Sequence, residues 1–120
     1  MEPASICYFE IPAPDIEKAG NFYSSVFGWD IEISDLTDQK YLMFSSGKGS
    51  LAGGLDPSKV PSKDGVLIYI KVDDILSTLE TVKKAGGSMV HGKTEISGGY
   101  GFFSVFKDPN GNFMGLWSQQ

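Results

Sequence analysis

Apolar and polar residues alternate in short runs along most of this chain, and twice the alternation gives way to a helical period. From Ser5 to Ile11, Cys7, Phe9 and Ile11 fall on one side and Ile6, Tyr8 and Glu10 on the other. That predicts a strand with one apolar and one mixed face. Pro12-Ala13-Pro14 is expected to break it. Asp15 suits a helix N-cap, Ile16, Ala19, Phe22, Tyr23 and Val26 follow at helical spacing, and Gly28 suits the C-terminal stop. Trp29 to Ile33 reads as a strand and Asp35 to Gln39 as a polar turn. Lys40 to Ser45 reads as a strand with Tyr41, Met43 and Ser45 on one face and Leu42 and Phe44 on the other. Gly47 to Gly54 is a glycine-rich loop with room for a short strand.

Asp56 to Gly65, with Pro57 and Pro61, reads as a linker. Val66 to Val72 is a predicted strand, with Ile68, Ile70 and Val72 on its apolar face and Leu67, Tyr69 and Lys71 on its mixed face. Asp73 or Asp74 caps a second helix carrying Ile75, Leu79 and Val82. Lys83 and Lys84 close that helix, where cations suit its dipole, and Gly86-Gly87 stops it. Ser88 to Val90 is a short strand, followed by a loop through Gly98-Gly99. The strongest local signal comes last. Phe102 to Phe106 and Phe113 to Trp117 are aromatic, β-prone runs flanking Asp108-Pro109-Asn110-Gly111, whose residues suit a type I turn.

The order strand, helix, strands occurs twice, so the chain reads as an internal repeat. Leu67 and Gly87 each lie 59 positions after Tyr8 and Gly28, which hold the same places in the first half. Each half can bury its apolar strand face against its own helix. The mixed faces, with Tyr8, Glu10, Tyr41, Tyr69, Lys71 and Trp117, are left to line a concavity, the default ligand-site expectation.

Composition narrows the function. The chain has 120 residues and a net charge of −5, which argues against binding nucleic acid or an anionic membrane. No apolar run is long enough to span a bilayer. Met1 to Ser5 shows no secretion signal, and the single cysteine forbids an internal disulfide, so a cytoplasmic setting is expected. Cys7, on the helix-facing side, is expected to be a buried, inert thiol. His91, the one histidine, is expected in an exposed loop and has no partner for a Ser-His-Asp set. Glu10 has two readings. It is a desolvated carboxylate of raised pKa acting as a base, or the partner of Lys71 in a structural ion pair. Trp117, Tyr69, Phe103 and Phe113 suit an aromatic wall for a flat ligand.

The run Phe9-Glu10-Ile11-Pro12, then Asp15, Phe22-Tyr23 and Phe27-Gly28-Trp29, resembles the first half of a vicinal oxygen chelate protein. Val72-Asp73, Gly86-Gly87 and Asp108-Pro109-Asn110-Gly111-Asn112 resemble the second half. That superfamily includes glyoxalase I, extradiol dioxygenases, and bleomycin- and fosfomycin-resistance proteins. The Phe-Glu-Ile-Pro opening and Gly-Leu-Trp ending resemble most its bacterial branch related to lactoylglutathione lyase. The resemblance implies an α+β fold of two βαβββ modules forming an eight-stranded curved mixed sheet, a cup, with helices on its outer face. The expected organisation is one domain over residues 1–120, with halves 5–55 and 66–118 and linker 56–65. A homodimer is implied, and whether its modules pair within a chain or between chains stays open.

The resemblance also locates the metal ligands of the metal-dependent members. Their histidine on the first strand falls at Tyr8, and their histidine or glutamine in the second half at Leu67. Their terminal glutamate falls at Gly115, and their first-half glutamate near Gly53 or Gly54. Leucine and glycine side chains cannot ligate a cation, and neutral tyrosine is a poor ligand. No metal and no cofactor are therefore expected. The leading expectation is a metal-free, glyoxalase-like protein holding a small, partly apolar molecule, as bleomycin-resistance proteins sequester theirs. Its expected ligand-binding residues are Tyr8, Tyr41, Leu67, Tyr69, Lys71, Phe103, Gly115 and Trp117. The alternative is a lyase, isomerase or dioxygenase with a displaced metal site or with Glu10 as catalytic base. A third reading is a structural or regulatory dimer.

Overall fold

The computed structural model describes residues 2–3, 6–34 and 41–120. The expected polar turn at Asp35 to Gln39, and Ser5 and Lys40 at two expected strand starts, lie outside the described residues. The chain divides into two compact units, Met1–Val60 and Pro61–Gln120.

In the first unit the order is β1 (Tyr8–Pro12), α1 (Ile16–Phe27), β2 (Asp30–Ser34), β3 (Tyr41–Ser45) and β4 (Ala52–Asp56). The strands form one sheet in the order β1-β4-β3-β2, with β1 and β4 parallel and the other pairs antiparallel. The loop after Gly47 thus does contain a strand, and it is central. The helix begins where Asp15 accepts a hydrogen bond from the Lys18 amide at 3.1 Å. It ends at Gly28, whose left-handed φ of 70° suits glycine and lets its N–H reach Ser24 O at 2.9 Å. Ile16, Ala19, Gly20, Phe22 and Tyr23 form the buried stripe of α1. Against it, Trp29 stacks between Tyr23 and Phe44, with ring centroids 4.9 and 4.6 Å away. Leu42 and Phe44 face this core from β3, as their alternation predicts, while Tyr41 and Met43 take the other face.

The second unit repeats the plan: β5 (Tyr69–Lys71), α2 (Ile75–Lys84), β6 (Ser88–Glu95), β7 (Phe102–Lys107) and β8 (Phe113–Ser118). Its sheet order is β5-β8-β7-β6, with β5 and β8 parallel. Asp74, not Asp73, caps α2, accepting from the Ser77 amide at 3.2 Å. Ile75, Val82, Phe106, Met114 and Leu116 form the core beneath the helix. Each unit is therefore a βαβββ module. The Asp108–Gly111 turn closes with Gly111 N–H donating to Asp108 O at 3.0 Å. The buried Asp108 carboxylate holds the turn further, accepting from the Asn110 and Asn112 amides at 3.0 and 2.9 Å and from Asn112 Nδ2 at 2.9 Å.

Three strand expectations need correction. The first strand starts at Tyr8, because its partner β4 starts opposite it at Ala52. Cys7 lies ahead of that ladder and is exposed, not buried. Pro12, expected to break the strand, is its last residue and pairs with Asp56. The strand expected over Val66 to Val72 is shorter: its ladder to β8 runs only from Tyr69, opposite Gly115, to Lys71, opposite Trp117. Val66 is consequently exposed. Conversely β6 runs on through His91 to Glu95, so His91 is an exposed strand residue and not a loop residue. Register shifts between Met89 and His91 and between His91 and Thr94 interrupt the period-two pattern there.

Candidate functional site

On the sheet face of the first unit away from α1, β1, β3 and β4 bring polar side chains together. Tyr8 and Glu10 come from β1 and Tyr41 from β3. The fourth member, Lys59, comes from the turn after β4. Asp56 shapes that turn: its Oδ1 accepts from the Ser58 amide at 2.9 Å and from Ser58 Oγ at 2.6 Å. Lys59 is thereby aimed back at β1, where its Nζ donates to Glu10 Oε1 at 2.6 Å. Tyr41 donates to Glu10 Oε2 at 2.8 Å, and the Tyr8 and Tyr41 hydroxyls lie 2.7 Å apart.

This geometry bears on both readings of Glu10. Its ion-pair partner is Lys59, not Lys71. Its pKa is lowered from the ordinary value of 4.5, chiefly by the hydrogen bond from Lys59 and then by that from Tyr41. Burial raises the Tyr41 phenol far above its usual range, and the bonds to Tyr8 and Glu10 add to that. Because the folded Glu10 pKa is depressed, its stabilising contribution is present above 4.5 and is lost as pH falls through the lowered folded value. Lys59→Met removes the largest cause of the shift. A carboxyl-detected NMR titration of that variant is expected to move the Glu10 midpoint upward, toward 4.5.

The second unit carries a pocket of about 370 Å3 lined by Tyr69, Ile96, Phe103 and Trp117. Trp117 is fixed by its indole N–H, which donates to Tyr100 O at 2.8 Å. Lys71 Nζ lies 5.9 Å from the Trp117 ring centroid, a cation–π placement. Phe103 is backed by the His91 ring, stacked at 5.2 Å. Phe113, expected on this wall, shares the β8 face of Trp117 by alternation but does not line the pocket. Leu67, also expected at the site, is half-buried ahead of β5.

The ladders show how the two sites correspond. Glu10 pairs with Gly54, and Gly54 with Met43; Tyr69 pairs with Gly115, and Gly115 with Val105. Two residues along each strand, Tyr41 corresponds to Phe103 and Asp56 to Trp117. The polar cluster of one module and the aromatic pocket of the other thus occupy equivalent sheet positions. Lys59 and Ile96 were not foreseen. A lone lysine in a polar linker carries no pattern, although Asp56-Pro57-Ser58 is an aspartate-turn signal that places it.

The same ladders test the metal positions implied by the resemblance. A Cβ at Gly54 would collide with the Tyr41 ring and hydroxyl, and one at Gly115 with the Tyr69 ring. The space a carboxylate would need at either glycine is taken by a tyrosine. Among the described residues there is no cluster of three or more His, Cys, Asp or Glu able to hold a metal ion. The residues present do not fit that metal centre. Gly115→Ala forces the Tyr69 ring aside near its root and is expected to destabilise by about 1–3 kcal/mol in a denaturant melt. Gly54→Ala meets only the far end of Tyr41. It is expected to break the Tyr41–Glu10 bond with little loss of stability, read as a shift of the Glu10 titration.

Comparisons with known proteins agree with this architecture. A glyoxylase-like domain-containing protein from Didymella fabae is 33% identical over 108 residues, spanning 86% of this chain and 84% of its own. A probable lactoylglutathione lyase from Vibrio cholerae is 29% identical over 85% of this chain and 81% of its own. The solved structure of TnmS3, an antibiotic-binding protein from a Streptomyces species, superposes with a TM-score of 0.73 at 22% identity, covering 98% of each chain. That last likeness shows the fold alone. Two βαβββ modules and a family model matching residues 5–115 lead to one conclusion: the chain belongs to the Glyoxalase/Bleomycin resistance protein/Dioxygenase superfamily.

Proposed function

We propose that the chain is a metal-independent, glyoxalase-like protein that binds a small, partly apolar molecule and holds it without turning it over. The observation that carries this reading is the pocket of about 370 Å3 walled by Tyr69, Ile96, Phe103 and Trp117. Its volume suits a drug-sized molecule, and its aromatic walls suit a flat one. The tyrosine rings over Gly54 and Gly115 support the metal-independent part. TnmS3 is an antibiotic-binding protein of the same fold, which supports a holding role.

The competing reading, a lyase, isomerase or dioxygenase with Glu10 as base, needs a carboxyl that titrates near neutral pH. Lys59 and Tyr41 pull Glu10 the other way. No helix is long and apolar enough to cross a membrane, and the charge of −5 does not suit a nucleic-acid partner. A homodimer is part of the proposal and is read by analytical ultracentrifugation.

The test is a fluorescence titration of the protein in chelator with planar aromatic compounds, including anthraquinones. The expected result is saturable quenching that is retained in Trp29→Phe, with binding lost in Trp117→Ala when read by calorimetry. Absence of saturable binding across the panel, or binding that needs a divalent ion, overturns the proposal.

A further inference from the structure

The hydrogen-bond chain of the first module has a direction, and the direction follows from counting protons. Lys59 is an ammonium and can only donate; it occupies Glu10 Oε1 at 2.6 Å. Glu10 is a carboxylate and can only accept. Tyr41 has one proton, and it goes to Glu10 Oε2 at 2.8 Å. At the next contact, 2.7 Å, Tyr41 can therefore only accept, so Tyr8 must donate. The Tyr8 hydroxyl proton is thereby committed inward. Its oxygen keeps a lone pair, on a residue that is 39% exposed.

We infer that the Tyr8 oxygen is a polarised acceptor site, built to take a neutral hydrogen-bond donor of a ligand, a hydroxyl or an N–H, and to reject anionic oxygen. Three considerations support it. An anionic oxygen carries no proton for that lone pair and makes no hydrogen bond with it, whereas a hydroxyl or an N–H does. The cluster occupies the positions that in the second module form the aromatic pocket, so it sits where that module presents its own site. The chain is also anchored at its far end, because Asp56 and Ser58 shape the turn that presents Lys59. This inference does not rest on the aromatic pocket.

Lys59 fixes the direction, which gives a sharp consequence for Glu10→Gln. The ammonium must keep an acceptor, so the glutamine carbonyl faces Lys59 and its amide nitrogen faces Tyr41. The amide donates to Tyr41, the Tyr41 proton turns to Tyr8, and the Tyr8 proton is released outward. The end of the chain changes from acceptor to donor without loss of a side chain.

The experiment follows the tyrosine 13Cζ resonances, with Tyr8 assigned by Tyr8→Phe, during titration with phenol, anisole and benzoate. Phenol can donate and accept; anisole and benzoate can only accept. In the natural chain, phenol is expected to shift the Tyr8 resonance with an affinity about tenfold above either acceptor, the worth of one good hydrogen bond. In Glu10→Gln the tenfold preference is expected to vanish: benzoate rises past phenol, and anisole draws level with it, because the phenol oxygen accepts as well as the anisole oxygen does. The gain of neutral anisole separates this change from simple loss of a negative charge. Tyr8→Phe keeps the ring and is expected to abolish the preference. Benzoate matching phenol in the natural chain, an unchanged order in Glu10→Gln, or no Tyr8 shift with phenol up to its solubility limit overturns the inference. Trp117 fluorescence, followed in the same samples, reports the aromatic pocket separately, so failure of one site is distinguishable from failure of the other.

Discussion

Replacing Trp117 with alanine is expected to abolish measurable ligand binding while leaving the protein folded. The indole is one wall of the pocket in the second module, and its edge is held by the Tyr100 carbonyl at 2.8 Å. A rigid aromatic anchor of this kind contributes about 2–4 kcal/mol to binding, which is roughly 30- to 1000-fold in affinity. Its face is half-exposed and lies off the core of Ile75, Val82, Phe106, Met114 and Leu116, so the fold tolerates its loss. Trp117→Phe keeps a ring but removes the N–H bond to Tyr100. It is expected to fall between the two, because the smaller ring keeps part of the wall but is no longer fixed in place before a ligand arrives. A titration of the three proteins against the same aromatic compound checks the order.

Trp29 is the opposite case. It is buried, stacked between Tyr23 and Phe44, and belongs to the core of the first module. Trp29→Ala leaves a cavity between those rings and is expected to cost about 3–5 kcal/mol. For a chain of this size that lowers the melting temperature by roughly 10–20 °C. Because the chain divides into two compact units, the loss is expected to fall first on Met1–Val60. Hydrogen exchange of the α1 amides should then accelerate well before that of α2. Equal acceleration in both helices would show that the units unfold as one.

Much of the fold was legible because its signals are local. Asp15 and Asp74 cap helices, Gly28 ends one in a left-handed conformation, and Asp108-Pro109-Asn110-Gly111 closes a hairpin. Each needs only its near neighbours in sequence. The alternation of Leu42 and Phe44 against Tyr41 and Met43 was legible for the same reason. Features set by a distant partner were not. Cys7 lies ahead of a ladder that starts opposite Ala52, and β5 is limited to the three residues that pair with Gly115, Leu116 and Trp117. Two register shifts hid most of β6.

The candidate site divides along the same line. The mixed strand faces pointed to Tyr8, Glu10, Tyr41, Tyr69, Lys71 and Trp117, and Phe103 was added as part of an aromatic wall; the first three gather in one module and the other four in the other. The partner of Glu10 was not legible, because Lys59 reaches it only through the turn that Asp56 builds. The direction of the Glu10 shift follows chiefly from that partner and then from Tyr41, so without Lys59 in view the base reading and the ion-pair reading both stayed open.

The central claim is that tyrosine rings have replaced the metal centre and that binding is metal-independent. Its most direct test is elemental analysis of tag-free protein after equilibrium dialysis against nickel, zinc, iron and manganese salts and removal of free ion. The account predicts near-zero metal per chain for all four. About one tightly held divalent ion per chain would contradict it.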